Sequence, residues 1–167
     1  MASNFDSESG RKSAIAGFRA GAAAAERDGA LWLPDWRDED WNVLFGYTDI
    51  RTVQSGDALI RRGEPDHTLY FVLSGALEII VQSSDGLTMG RLARVQAGAV
   101  LGELAFFDSG PRSAGAWALS PCEVAAMSPD QYAAFELANP RLAHGLIFAL
   151  GRILATRLRR TTAKLAG

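Results

Sequence analysis

Leu69-Tyr70-Phe71-Val72-Leu73-Ser74-Gly75-Ala76-Leu77-Glu78-Ile79-Ile80-Val81-Gln82 is two apolar runs broken by Ser-Gly, and this punctuation sets how the rest of the chain is read. Short runs rich in aliphatic, aromatic and β-branched residues between turn formers are strands, and the Gly reaches the φ > 0 that a tight bend needs. The same rhythm holds from residue 47 to 128, through Ser55-Gly56-Asp57, Gly63-Glu64-Pro65-Asp66 and Ser84-Asp85-Gly86. Strands are expected at 50–54, 58–61, 69–73, 77–82, 90–95, 100–101, 113–119 and 122–127. Short strands in series form a barrel or jelly roll.

Helical signals lie on either side, so the expected class is mainly β with flanking helices (α+β). Ser128 is an N-cap, Pro129 fits the first helical position, and a helix to about residue 137 follows. Asn139-Pro140 restarts the chain. Leu142, Leu146, Leu150, Ile153 or Leu154, and Leu158 then recur at three- and four-residue steps, one apolar face of a long C-terminal helix. Arg157, Arg159, Arg160 and Lys164 read as a solvated, basic helix end. Upstream, residues 31–48 carry Trp32, Trp36, Trp41, Leu44 and Phe45, and Asp38-Glu39-Asp40 starts a short helix. Residues 1–30 are Ala-, Gly- and Ser-rich and read as a flexible or partly helical tail, because 13–27 has helix propensity without a broad apolar stripe. The expected division is a tail, 1–30, and one domain, 31–167, made of a helical part (31–48), a β-roll (49–128) and C-terminal helices (129–167).

Composition narrows the function. The 167 residues allow one ordinary domain. With 48% hydrophobic and 22% charged residues and no long apolar run, the chain reads as globular, with no membrane partner and a cytoplasmic home. The single cysteine, Cys122, has no disulfide partner and falls in an expected strand, where it fills core. A net charge of −2 gives no global reason to bind nucleic acid. Only two histidines, His67 and His144, occur, too few and too far apart for a cupin-type metal site. No nucleophile and base pair is legible, so no enzymatic activity and no cofactor or metal is expected.

Chemistry concentrates instead in Gly98-Ala99-Val100-Leu101-Gly102-Glu103-Leu104-Ala105-Phe106-Phe107 and in Pro111-Arg112-Ser113-Ala114 after a short loop. A helix starting near Glu103 offers unpaired N–H groups and a positive dipole end to an anion, and Gly102 lets a ligand approach the backbone. Arg112 presents a planar fork of donors suited to two phosphate oxygens. Glu103 is an acceptor only, and a like charge to a phosphate, so its partner must be a donor such as a ribose hydroxyl.

These segments, with Gly56-Asp57-Ala58-Leu59-Ile60, Gly63 and Asp66, resemble the cyclic-nucleotide-binding domain shared by catabolite activator proteins, regulatory subunits of cyclic-AMP-dependent kinase and nucleotide-gated channels. The likeness covers about 49–158. It implies an eight-stranded jelly roll with a short phosphate-cassette helix. It implies that Glu103 accepts from the ribose 2′-hydroxyl and Arg112 pairs with the cyclic phosphate. Gly102, Leu104, Ala105, Ser113 and Ala114 would complete the ligand-binding cradle. In the family a threonine after the cassette arginine often accompanies cyclic GMP preference; here Ser113 stands there, which favours cyclic AMP.

The expected protein is a cyclic-nucleotide sensor that signals by rearranging its long C-terminal helix toward a protein partner or a homodimer. The alternative is a ligand-free interaction module in which Arg112 and Glu103 pair across a vestigial pocket. Because the sequence closes at Gly167 shortly after the long helix, no DNA-reading module and no DNA partner is expected.

Overall fold

The computed structural model describes residues 8–27, 34–82 and 89–165. In chain order these form α1 (Glu8–Arg27), α2 (Asp38–Phe45), β1 (Asp49–Val53), β2 (Ala58–Ile60), β3 (Leu69–Ser74), β4 (Ala76–Gln82), β5 (Met89–Gln96), β6 (Val100–Leu101), α3 (Glu103–Asp108), β7 (Gly115–Ala118), β8 (Cys122–Met127), α4 (Pro129–Ala138) and α5 (Pro140–Leu165). The expected turn at Ser84-Asp85-Gly86 and the residue Trp32 lie outside the described residues.

The strands pair antiparallel in two sheets, ordered β1-β8-β3-β6 and β2-β7-β4-β5. Leu69 to Leu73 is apolar without alternation because β3 is covered on both faces. Tyr70 and Val72 join Val53, Leu77, Leu101, Val124 and Ala126 between the sheets. Leu69, Phe71 and Leu73 face the other way, into a second core roofed by the helices. Cys122 is buried in the core between the sheets. The fold is the expected jelly roll with flanking helices and a long C-terminal helix.

Two helices start as their sequences dictate. The Ser128 hydroxyl accepts from the amide of Gln131, whose side chain accepts in return from the Ser128 amide, so both orphan donors are satisfied and Pro129 loses nothing at the first helical position. At α2, Asp38, Glu39 and Asp40 occupy the first turn, where the dipole favours acid.

Residues 1–30, expected as a flexible or partly helical tail, are helical over the described part and pack on the domain. Glu8–Arg27 is one continuous helix, and Ile15, Phe18 and Ala22 are buried in the helical core. Phe18 makes edge-to-face contacts with Trp41, Phe45 and Phe71 at 5.6, 5.5 and 5.8 Å. Full burial of such a side chain contributes about 1.5–3 kcal/mol. Three side chains one turn apart suffice because the neighbouring helix and sheet supply the aromatic wall, so no broad stripe is needed.

The long helix also departs from its expected face. Leu142, Leu146, Leu150 and Ile153 are buried, but Leu158 is 67% exposed. The next inward position one turn past Ile153 is Arg157 rather than an apolar residue, and this difference matters at the site.

Candidate functional site

β6 ends at Leu101 and the chain turns through Gly102, whose φ of 85° is the left-handed region that favours glycine. A Cβ at Gly102 would collide with the Arg112 guanidinium and, at 2.6 Å, with the carbonyl oxygen of Thr68. Both conformation and space therefore require glycine there. From this turn α3 begins, with its first intrahelical bond running from the Phe106 amide to the Gly102 carbonyl at 3.1 Å. The amides of Glu103, Leu104 and Ala105 precede that bond and have no intrahelical acceptor.

Arg112 is almost wholly buried, 3% exposed, beside this helix start. Its Nη2 donates to Asp66 Oδ2 and to the Thr68 carbonyl at 2.6 Å, and Nη1 donates to the Gly102 carbonyl at 3.2 Å. The guanidinium lies over the ring of Tyr70, 5.5 Å from its centroid. Its Nε is buried and has no hydrogen-bond partner among the described residues. The flanking backbone is tied to the β2–β3 connection: the Gly63 amide donates to the Arg112 carbonyl at 2.8 Å and the Arg112 amide to the Glu64 carbonyl at 3.0 Å. An open cleft of about 500 Å³ lies alongside, lined by Arg62, Gly63, Pro111, Arg112 and Ser113.

Asp66 is the counter-ion, and both its oxygens are in use. Oδ1 accepts from the Thr68 hydroxyl at 2.6 Å and the Thr68 amide at 3.1 Å; Oδ2 accepts from Arg112 and from the Tyr70 hydroxyl at 3.2 Å. Burial by itself would raise this carboxyl's pKa, but the Thr68 and Arg112 hydrogen bonds and the arginine charge outweigh it and hold it down at about 2. Burial, and then the Asp66 charge, raise the Tyr70 phenol, which stays protonated as the donor to Asp66.

Glu103 is 4% exposed and does not face Arg112. It forms an ion pair with Arg157 of α5, whose Nη2 also donates to the Val100 carbonyl at 2.8 Å. The two charged cassette side chains therefore have separate partners, and the Arg112–Glu103 pairing of the vestigial alternative is not formed. Ala105 is buried, Ala114 is half-buried, and Leu104 and Ser113 are exposed, Leu104 by 47%.

Sequence reading missed Arg157 as a site residue and placed it in a solvated helix end. The available signal was its position on the α5 face of Leu146, Leu150 and Ile153. It also missed Thr68 and Tyr70, which carry no motif of their own and matter only because β3 runs under the guanidinium.

The sequence profile of the cyclic nucleotide-binding domain matches residues 50–137. The chain is 32% identical over 120 residues to the cAMP-activated global transcriptional regulator CRP of Pasteurella multocida, covering 71% of this chain and 55% of that protein. It is 32% identical over 111 residues to a CRP-like cAMP-activated global transcriptional regulator of Mycobacterium tuberculosis, covering 66% and 47%. Among solved structures, the catabolite activator protein of Thermus thermophilus superposes with a TM-score of 0.70 at 28% identity, over 79% of this chain and 60% of that one. A cyclic nucleotide-binding domain from Methylobacillus flagellatus shares the fold with a TM-score of 0.76 at 22% identity, over 99% and 94%. The two curated relatives are named as transcriptional regulators. The chain spans about half the length of the curated relatives it matches. The expectation of no DNA partner is overturned: those relatives are transcriptional regulators, and where this sequence ends carries no information on the matter. No described helix is long and apolar enough to cross a membrane.

Proposed function

The chain belongs to the cyclic nucleotide-binding domain family, and from that premise we propose that it is a cyclic AMP sensor whose output passes through α5. The observation that carries this reading is the Arg112 guanidinium, buried at a glycine-opened helix start with Nε unsatisfied. A buried arginine donor without an acceptor is costly, and an equatorial phosphate oxygen supplies the acceptor. The orphan amides of Glu103, Leu104 and Ala105 receive the remaining negative charge, and Ser113 and Ala114 border it from the bend before β7.

The ribose falls to Glu103, which accepts from the 2′-hydroxyl while still facing Arg157. That ion pair makes the carboxylate a joint between ligand and helix: whatever the sugar does to Glu103 changes what holds the C-terminal half of α5. The nucleotide then favours the α5 position in which both partners of Glu103 are satisfied, a population shift between two helix positions. Ser113 in place of threonine, and relatives activated by cyclic AMP, support adenine over guanine. α5 also presents outward His144, Phe148, Gly151, Ala155, Leu158 and Thr162, exposed and spaced four and three residues apart, a seam suited to a second copy of the helix.

Calorimetric titration with cyclic AMP and cyclic GMP tests the reading. Cyclic AMP binds the wild type, and Arg112→Ala weakens it by about 10- to 100-fold, since the charge-assisted hydrogen bond from Nε is lost. Absence of heat from both nucleotides, or undiminished binding by Arg112→Ala, contradicts it.

A further inference from the structure

The cassette is held at a second place, where α1 meets the turn before β6. The turn Ala97-Gly98 precedes β6, and α1 lies directly on it. A Cβ at Gly21 would overlap the Ala97 carbonyl, and a Cβ at Gly98 would overlap the Ala22 amide nitrogen, so the helix and the turn meet backbone to backbone through reciprocal glycines. Gly98 has a φ of 92°, so its conformation also excludes other residues. Gly17, one turn earlier, is different: a Cβ there would sit in ordinary contact, 3.4 Å from the Leu73 carbonyl oxygen.

From this seat the chain runs without slack to the site. The Gly98 amide donates to the Val72 carbonyl and the Val72 amide to the Ala99 carbonyl, both at 2.9 Å. Val100 and Leu101 then pair with Phe71 and Tyr70, and Gly102 and Glu103 follow at once. Segment 97–103 is therefore fixed at its start by α1 and at its middle and end by Arg157, through Val100 and Glu103. Phe18 and Ile15 anchor α1 in the core beside this seat.

We propose that α1 is a positioning element of the cassette: through Gly21 and Gly98 it sets the placement of β6 and the start of α3, and so the affinity of the nucleotide site. The claim about affinity rests on the cyclic AMP reading; the claim about placement does not. Coupling is reciprocal, so nucleotide binding also slows the opening of α1.

Gly21→Ala and Gly17→Ala make the same chemical change one turn apart on one helix. Each gains helix propensity, but only Gly21→Ala loses the seat. Hydrogen exchange of the ligand-free protein is measured first. Gly21→Ala speeds exchange about tenfold in α1 and across residues 97–105, and leaves the β4–β5 hairpin unchanged, while Gly17→Ala matches the wild type or exchanges more slowly. If Gly21→Ala does not fold, Ile15→Val gives the same local pattern at smaller amplitude. Faster exchange in α1 alone, or equal acceleration everywhere, overturns the proposal. Calorimetry is the second arm: Gly21→Ala weakens cyclic AMP binding about tenfold and Gly17→Ala does not. Unchanged affinity with loosened 97–105 overturns the claim about affinity. Absence of binding to wild type overturns the nucleotide reading, while the exchange arm still decides the placement.

Discussion

Arg112 shows how one side chain can be both structural and available. A guanidinium has five N–H donors; here three go to protein acceptors from the two Nη groups, and Nε is the nitrogen with no partner among the described residues. Asp66 neutralises the charge from a more exposed position, with 39% of its side chain accessible. Because the carboxyl's folded pKa is depressed to about 2, its stabilisation is fully present above the ordinary carboxylate range and is lost as pH falls through about 2. Asp66→Asn is therefore expected to lower stability at pH 7 by about 1 kcal/mol, after discounting for solvent screening of the half-open pair. Urea unfolding of the two proteins from pH 7 to 2 checks the sign: the gap is constant to about pH 4 and closes toward pH 2. A gap that widens on acidification contradicts the assignment.

At the scale of elements, α5 divides into halves with different holdings. Up to Ile153 it is buried against the helical core, and Trp36 packs against Gly145, with its Nε1 3.2 Å from where a Cβ would stand. Beyond Ile153, Arg157 provides a polar tie to Glu103 and Val100. The apolar half is expected to exchange slowly and the ionic half to respond to loss of one ion pair. Arg157→Ala should leave Glu103, with a side chain only 6% exposed, as an uncompensated charge, costing about 1–2 kcal/mol because the arginine itself is 38% exposed. Amide exchange over 155–163 should rise with no change before residue 150. Arg157→Lys keeps the charge but lacks the fork that reaches Glu103 and Val100 together, so it should restore only part of the protection.

For the molecule as a whole, pairing of copies along the outward face of α5, as proposed, has a testable signature. Phe148 is 59% and Leu158 67% exposed, and Gly151 has open space around it, so a second helix can approach closely. α5 carries six basic residues and no acid, so two copies attract through the apolar seam and repel through charge. Salt screens the repulsion and leaves the apolar term. Self-association measured by sedimentation is thus expected to strengthen with ionic strength, and Phe148→Glu should give a monomer with an unchanged circular dichroism spectrum. Weakening by salt contradicts pairing along this seam.

How much of this was legible follows from the range of each interaction. Turn formers, the Ser128-Pro129-Asp130-Gln131 cap and the uninterrupted apolar run of β3 act over a few residues, so the eight strands, the jelly roll and the two helices after it could be read from the chain itself. The Gly102-Glu103 and Arg112-Ser113 segments stand out in the sequence for the same reason, and their ligand roles remain the proposal made above. Partners were not. That Arg112 meets Asp66, that Glu103 meets Arg157, and that α1 is seated on Ala97-Gly98 are contacts between residues 46, 54 and more than 70 positions apart. The sequence by itself determined which groups could bind an anion and a sugar. Only the tertiary structure decided which partners hold each of them, Asp66 and β3 for Arg112 and α5 for Glu103, because burial and charge pairing depend on what the fold brings alongside.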